Sequence, residues 1–125
     1  VADSIRILVG RRFDQFAKRE RLDDSRMVNA IRQIEEGLIH ADLGGGLVKQ
    51  RIPRSGQGGS GGYRTIIVYR SGDRAIFVHG FAKNSVANIS ASELAAFRKL
   101  AAELLALSDQ DIQKAIDNQV FREIK

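Results

Sequence analysis

Residues 63–81 read Tyr63-Arg64-Thr65-Ile66-Ile67-Val68-Tyr69-Arg70-Ser71-Gly72-Asp73-Arg74-Ala75-Ile76-Phe77-Val78-His79-Gly80-Phe81. Two runs rich in β-branched and aromatic residues flank a Ser-Gly-Asp turn, the pattern of a β-hairpin with strands over Tyr63–Arg70 and Arg74–Phe81. Immediately upstream, Leu47–Ile52 reads as a further strand closed by Pro53, followed by a loop from Ser55 to Gly62 that holds five glycines. Three consecutive strands joined this way predict an antiparallel meander.

Outward from the meander the period changes. Towards the N-terminus, Ile5 to Val9 suits a short strand able to join an edge of the sheet. Phe13, Phe16 and Ala17 then recur at helical spacing among Arg11, Arg12, Lys18 and Arg19. Asp23 or Asp24 can cap a second helix whose stripe is Met27, Val28, Ile31 and Ile34, with Gly37 as its stop. These two helices are expected to form a hairpin, and Leu43-Gly44-Gly45-Gly46-Leu47 reads as a flexible joint between them and the sheet. Beyond the meander, Ser90-Ala91-Ser92-Glu93 is a capping box opening a helix with Leu94, Phe97, Ala101, Leu104 and Leu105 on its apolar face. Ser108 opens a last helix with Asp109 and Asp111 in its first turn, and the tail from Asn118 is expected to fray. The fold class is therefore α+β: a strand, a two-helix hairpin and a three-stranded meander forming a small antiparallel sheet, covered by N-terminal helices and a C-terminal helix. Residues 1–125 read as a single domain.

Composition narrows the partners. The chain of 125 residues has no cysteine, so neither a disulfide framework nor a thiolate metal site is available. No apolar run approaches the roughly 20 residues that span a bilayer, and the sequence reads as soluble, unexported and without a membrane partner. The net charge of +5 favours anionic partners without choosing among them. The placement of the charges is more selective. Lys49 and Arg51 lie two apart on one strand and share a face, Arg54 follows Pro53, and Arg64 opens the next strand, where antiparallel pairing can set it across from them. A solvated strand face also carries such residues, but it ordinarily mixes signs. From Leu43 through Ser71 there is no Asp or Glu. Un-neutralised cations beside a glycine-rich loop suit a phosphodiester, because arginine forks onto phosphate oxygens and glycine lets a backbone come close. The loop lacks the lysine and hydroxyl of a nucleotide-binding P-loop.

Lys83 follows the last strand of the meander, and Arg70 and Arg74, flanking the turn, read as solvent-facing. His79 shares strand parity with Phe77, Phe81 and Lys83 and can face the same patch as an acid or base, or serve as a half-buried structural histidine. His40 lies far from it in sequence, and neither histidine belongs to a metal-ligand run.

Lys49-x-Arg51, the glycine loop, Gly62-Tyr63-Arg64 and Gly80-Phe81-Ala82-Lys83 resemble the RelE-like toxins of bacterial toxin-antitoxin pairs. The likeness is nearest to the RelE and HigB branch, through Ala41-Asp42-Leu43-Gly44-Gly45-Gly46, Ser60-Gly61-Gly62-Tyr63-Arg64-Thr65 and the leucine-rich run Ala101 to Leu107. That resemblance implies a cytoplasmic bacterial endoribonuclease that cuts mRNA on the ribosome by 2′-hydroxyl attack, without metal or cofactor, and is restrained by a cognate antitoxin protein. It implies that Lys49 and Arg51 grip the scissile phosphate, Arg64 stabilises its growing charge and Lys83 stands near the leaving oxygen, with Arg54, Gly62 and Tyr63 along the RNA. Some relatives use a C-terminal tyrosine as general base, whereas the last tyrosine here is Tyr69. His79, Tyr63 and Lys49 are the candidates for that role. Two alternatives are a ParE-type toxin of the same fold acting on gyrase and a nucleic-acid-binding module that does not cut.

Overall fold

The computed structural model describes residues 5–53, 62–82 and 89–125. The chain order is β1 (Arg6–Gly10), α1 (Arg11–Glu20), α2 (Asp24–Glu35), β2 (Ala41–Gly44), β3 (Leu47–Ile52), β4 (Tyr63–Arg70), β5 (Arg74–Ala82), α3 (Ala91–Ala106), α4 (Asp109–Asp117) and β6 (Phe121–Ile124). One six-stranded sheet runs in the order β2-β3-β4-β5-β1-β6. The β3-β4-β5 meander forms as expected, and β1 joins it beside β5. That pairing is parallel, with Arg6 facing Arg74 and Val9 facing Phe77, so the sheet is mostly rather than wholly antiparallel. None of the described helices is long and apolar enough to cross a membrane.

Strand alternation splits the apolar residues into two clusters. Against α1 and α2 lie Val9, Val48, Ile52, Tyr63, Ile67 and Phe77, with Phe13, Met27, Ile31 and Ile34 from the helices. The Asp23 carboxylate caps α2 by accepting from the Arg26 amide at 3.1 Å, and Gly37 at φ +87° ends that segment in a conformation that favours glycine. On the other face, Leu8, Leu47, Ile66, Val68 and Ile76 meet Ala101 and Ile112 of α3 and α4. The capping box at Ser90 and Glu93 forms as expected, and Ser108 caps α4.

Three expectations change. The Gly44–Gly46 segment is no flexible joint but the turn of a β2-β3 hairpin, with φ of +84°, +66° and +82°. It is tied by the Asp42 carboxylate, which accepts from the Gly44 amide at 2.9 Å, and by Arg98, which donates twice to the Leu43 carbonyl. The tail is not frayed either: β6 pairs antiparallel with β1, which is thereby an interior strand. Charge holds it there. Arg122 donates to both Asp14 and Asp24, and Arg6 donates to Glu123 at 2.9 Å, so side chains from α1, α2 and β1 all fix the last strand.

Arg74 is the third change. It is only 4% exposed, and its Nη1 donates to the carbonyls of Leu104 and Leu107 at 2.9 and 2.8 Å. The last turn of α3 carries no basic residue of its own. A guanidinium reaching up from the start of β5 satisfies these terminal carbonyls instead, with Asp73 and Asp109 within 3.4 and 3.6 Å to balance its charge. Arg70, by contrast, is solvent-facing as expected and pairs with Asp73.

Replacing Arg74 with Met should therefore destabilise the fold by about 3 kcal/mol, because two part-buried carbonyls lose their charged donor. Arg70→Ala should stay within about 0.5 kcal/mol. Urea titration of both variants checks the contrast.

Candidate functional site

On β3, Val48, Gln50 and Ile52 turn inward, which leaves Lys49 and Arg51 half-exposed on the α3 side of the sheet. The β3-β4 register sets Arg51 directly opposite Arg64 and Lys49 opposite Ile66. The β4-β5 register then continues both rows, to Phe81 and His79 respectively. Facing side chains across paired strands stand roughly 5 Å apart at Cβ, so Lys49, Arg51, Arg64 and His79 form one surface. Two guanidinium groups directly opposite one another repel.

Arg64 carries a second unfavourable feature. Its Nη1 is buried and has no hydrogen-bond partner among the described residues. A buried donor left unmet costs roughly 1–3 kcal/mol, and such a group in a native fold calls for an explanation. The backbone beneath it is firmly held. Thr65, fully buried, donates its hydroxyl to the Gln50 carbonyl at 2.8 Å. Gln50, 4% exposed, donates to the Leu38 carbonyl and accepts from the His40 amide, which pins the segment before β2 against β3.

His79 reaches this face through an irregularity. The register skips Val78, pairing Ile67 with Phe77 but Ile66 with His79. This bulge breaks the parity expected from sequence. Phe77 packs on Phe13 of α1, with ring centroids 5.0 Å apart, while His79 lies on the opposite face between Phe81 and Phe97 at 5.8 and 5.2 Å. Burial pushes the His79 pKa down, opposed by Glu93 and assisted by Arg12.

Tyr63, expected along the RNA and as a candidate base, belongs to the other side of the sheet. Adjacent strand residues point to opposite faces, so the placement that exposes Arg64 buries Tyr63 to 4% exposure, edge-on to Phe16, with its hydroxyl donating to the Glu20 carbonyl at 3.3 Å. Gly62 precedes it at φ +112°, a conformation that favours glycine, so this residue shapes the entry to β4. Arg54 and Lys83 lie outside the described residues.

The structure also brings in a residue that sequence reasoning set aside. The ring of His40 lies within electrostatic reach of Arg64, Lys49 and Arg51; partial burial and then these three charges hold its pKa below the ordinary histidine value. Reading Gly44–Gly46 as a hairpin turn would have brought the segment before β2 alongside β3, since Ala41 pairs with Lys49. An open groove of about 660 Å³ lies at the opposite edge of the sheet, lined by Arg11, Asp14, Lys18, Gln119 and Arg122. Its charges are matched within the fold, Arg122 and Lys18 both pairing with Asp14. It therefore competes poorly with the β3-β4 face for an anion.

A family model described as the RelE toxin of the RelE/RelB toxin-antitoxin system matches residues 5–124. No curated protein matches the chain.

The environment of His79 is directly measurable. Phe97→Ala admits water to the ring and relieves the desolvation that lowers its pKa, so NMR titration of the imidazole should show a rise towards the ordinary value.

Proposed function

The chain belongs to the RelE toxin family, the toxin side of a toxin-antitoxin pair, and from that premise we propose that it is an endoribonuclease cutting messenger RNA on the ribosome. The observation that carries this reading is the unmet, buried Nη1 of Arg64 set in register against Arg51. The described residues supply no oxygen to this donor, and a phosphodiester offers two.

The chemistry asks the protein for charge and orientation, because the RNA carries its own nucleophile. The ribose 2′-oxygen loses its proton and bonds to the adjacent phosphorus. The bond to the 5′-oxygen breaks, leaving a 2′,3′-cyclic phosphate and a 5′-hydroxyl. Negative charge grows on the phosphoryl oxygens along this path. Arg64 stabilises that growing charge, while Lys49 and Arg51 hold the phosphate in place. Lys83 serves the leaving oxygen, and Arg54 and Gly62 border the RNA, as the family resemblance implies. Of the base candidates named from sequence, His79 and Lys49 share the cationic face and Tyr63 is turned away from it. The cognate antitoxin restrains the activity by covering this face.

Arg64→Ala should slow cleavage by roughly 100-fold to 1,000-fold, the usual effect of losing one donor to a developing oxyanion. Its unfolding transition should not weaken, since this nitrogen bonds nothing in the described fold. Mapping of RNA 5′ ends after induction, for wild type and variant, reads the first effect, and thermal melting reads the second. Undiminished cuts in the variant would remove Arg64 from the chemistry. Intact RNA with inhibited DNA supercoiling would replace the ribonuclease reading with a gyrase-directed one.

A further inference from the structure

We propose that His40 is a catalytic residue of the cationic cup, the group that accepts the 2′-hydroxyl proton. The inference rests on the ribonuclease reading and supplies the general base which that reading leaves open.

Position comes first. Chain pairing brings β2 into the sheet with Ala41 opposite Lys49, and His40, in the bend just before that strand, is held alongside β3 by its amide bond to Gln50. The segment is fixed rather than merely adjacent. The buried Gln50 side chain accepts from the His40 amide at 3.0 Å and donates to the Leu38 carbonyl at 2.9 Å, while the Gln50 main-chain carbonyl accepts from the Thr65 hydroxyl of β4. One residue thus ties the main chain at His40 through its side-chain amide to the strand that carries two cations of the cup and, through its main chain and Thr65, to the strand that carries the third.

Chemistry comes second. His40 is exposed, so a substrate can reach it. The charged groups acting on it are Lys49 and Arg51 from β3 and Arg64 from β4, and all three disfavour a protonated ring. In the free protein the imidazole is therefore a neutral acceptor at neutral pH. A bound phosphodiester offsets the neighbouring positive charge, which raises the ring's basicity when substrate is in place. The other candidates fit the task less well. His79 lies against Phe81 and Phe97, Tyr63 lies through the sheet, and Lys49 is assigned to holding the phosphate.

The step balances without a co-reactant beyond water. A ring nitrogen of His40 takes the 2′-hydroxyl proton as the 2′-oxygen bonds to phosphorus. The electron pair of the broken bond leaves on the 5′-oxygen, which takes a proton from water. The resulting hydroxide is neutralised by the proton that the imidazolium then releases.

Two measurements on the purified toxin test this. The first is single-turnover cleavage of ribosome-bound message across pH, for wild type and His40→Gln. Wild type should gain rate with rising pH and level off once the imidazole is neutral. The variant should bind equally well, cut roughly 100-fold to 10,000-fold more slowly, and lose that limb of the profile. The second is NMR titration of the His40 ring, which needs no turnover. Its pKa should rise in Arg64→Ala, and rise again in wild type when a 2′-O-methyl RNA oligonucleotide is bound. A wild type that cuts while His40→Gln cuts at the same rate with the same profile overturns the proposal and leaves the ribonuclease reading standing. A His40 titration indifferent to both Arg64→Ala and the oligonucleotide overturns it as well. A wild type that cuts no RNA removes the ribonuclease reading, and the role of His40 falls with it.

Discussion

The register between β3 and β4 is the constraint on which the rest of the structure depends. Side chains alternate along a strand, so a slip of β3 by one residue against β4 would send Lys49 and Arg51 into the apolar layer beneath α1 and α2, and bring Val48 and Ile52 out. Such a slip would place two charges in an apolar layer and is heavily disfavoured. The native register is further fixed by the Thr65 hydroxyl on the Gln50 carbonyl, a buried bond available only when these two residues face one another. The same pairing that buries the core on one face therefore assembles the cations on the other, and neither can be changed alone.

That arrangement carries a local penalty, and the fold is strengthened elsewhere. Arg51 opposite Arg64 is a repulsive cross-strand pair, and the Arg64 Nη1 is buried without a partner in the described fold. Away from the cup, several cations have partners. Arg122 bridges Asp14 and Asp24, Arg6 pairs with Glu123, and Arg74 satisfies two carbonyls at the end of α3. Arginine is thus used in two ways in one small sheet. At the β1, β5 and β6 end it joins secondary-structure elements, and across β3 and β4 two arginines fall in register with one another.

The sequence made the meander legible because its turn chemistry and its β-branched runs agree, and period 2 on β3 placed Lys49 and Arg51 on one face before any coordinates. What it hid were features set by partners distant along the chain. Phe121–Ile124 is too short to read as a strand by itself and becomes one because β1 offers an edge and Arg122 finds two aspartates from other elements. Arg74 looked like a hairpin residue because nothing local reveals that the end of α3 lands above it. The bulge at Val78 leaves no mark in the alternation, yet it separates His79 from Phe77. Sequence separation from His79 hides His40, whose relevant neighbour is Gln50 of β3, ten residues on and reached through a triple-glycine turn.

An unmet cation does not distinguish among the anions that can relieve it. A phosphodiester placed on Arg64 would supply the hydrogen bond that the described residues do not, and so would a carboxylate from another chain. For a toxin whose family works with an antitoxin, the same local penalty can then drive both substrate capture and inhibition. Occupants that draw their binding from one donor exclude one another even where the rest of their footprints do not overlap. On this view the destabilised centre is the common currency of activity and restraint. If the site holds RNA as proposed, a protein partner would have no need to mimic its shape, only to bring an acidic side chain to the Arg51-Arg64 row while the rest of its contacts fall on whatever surface lies beside it.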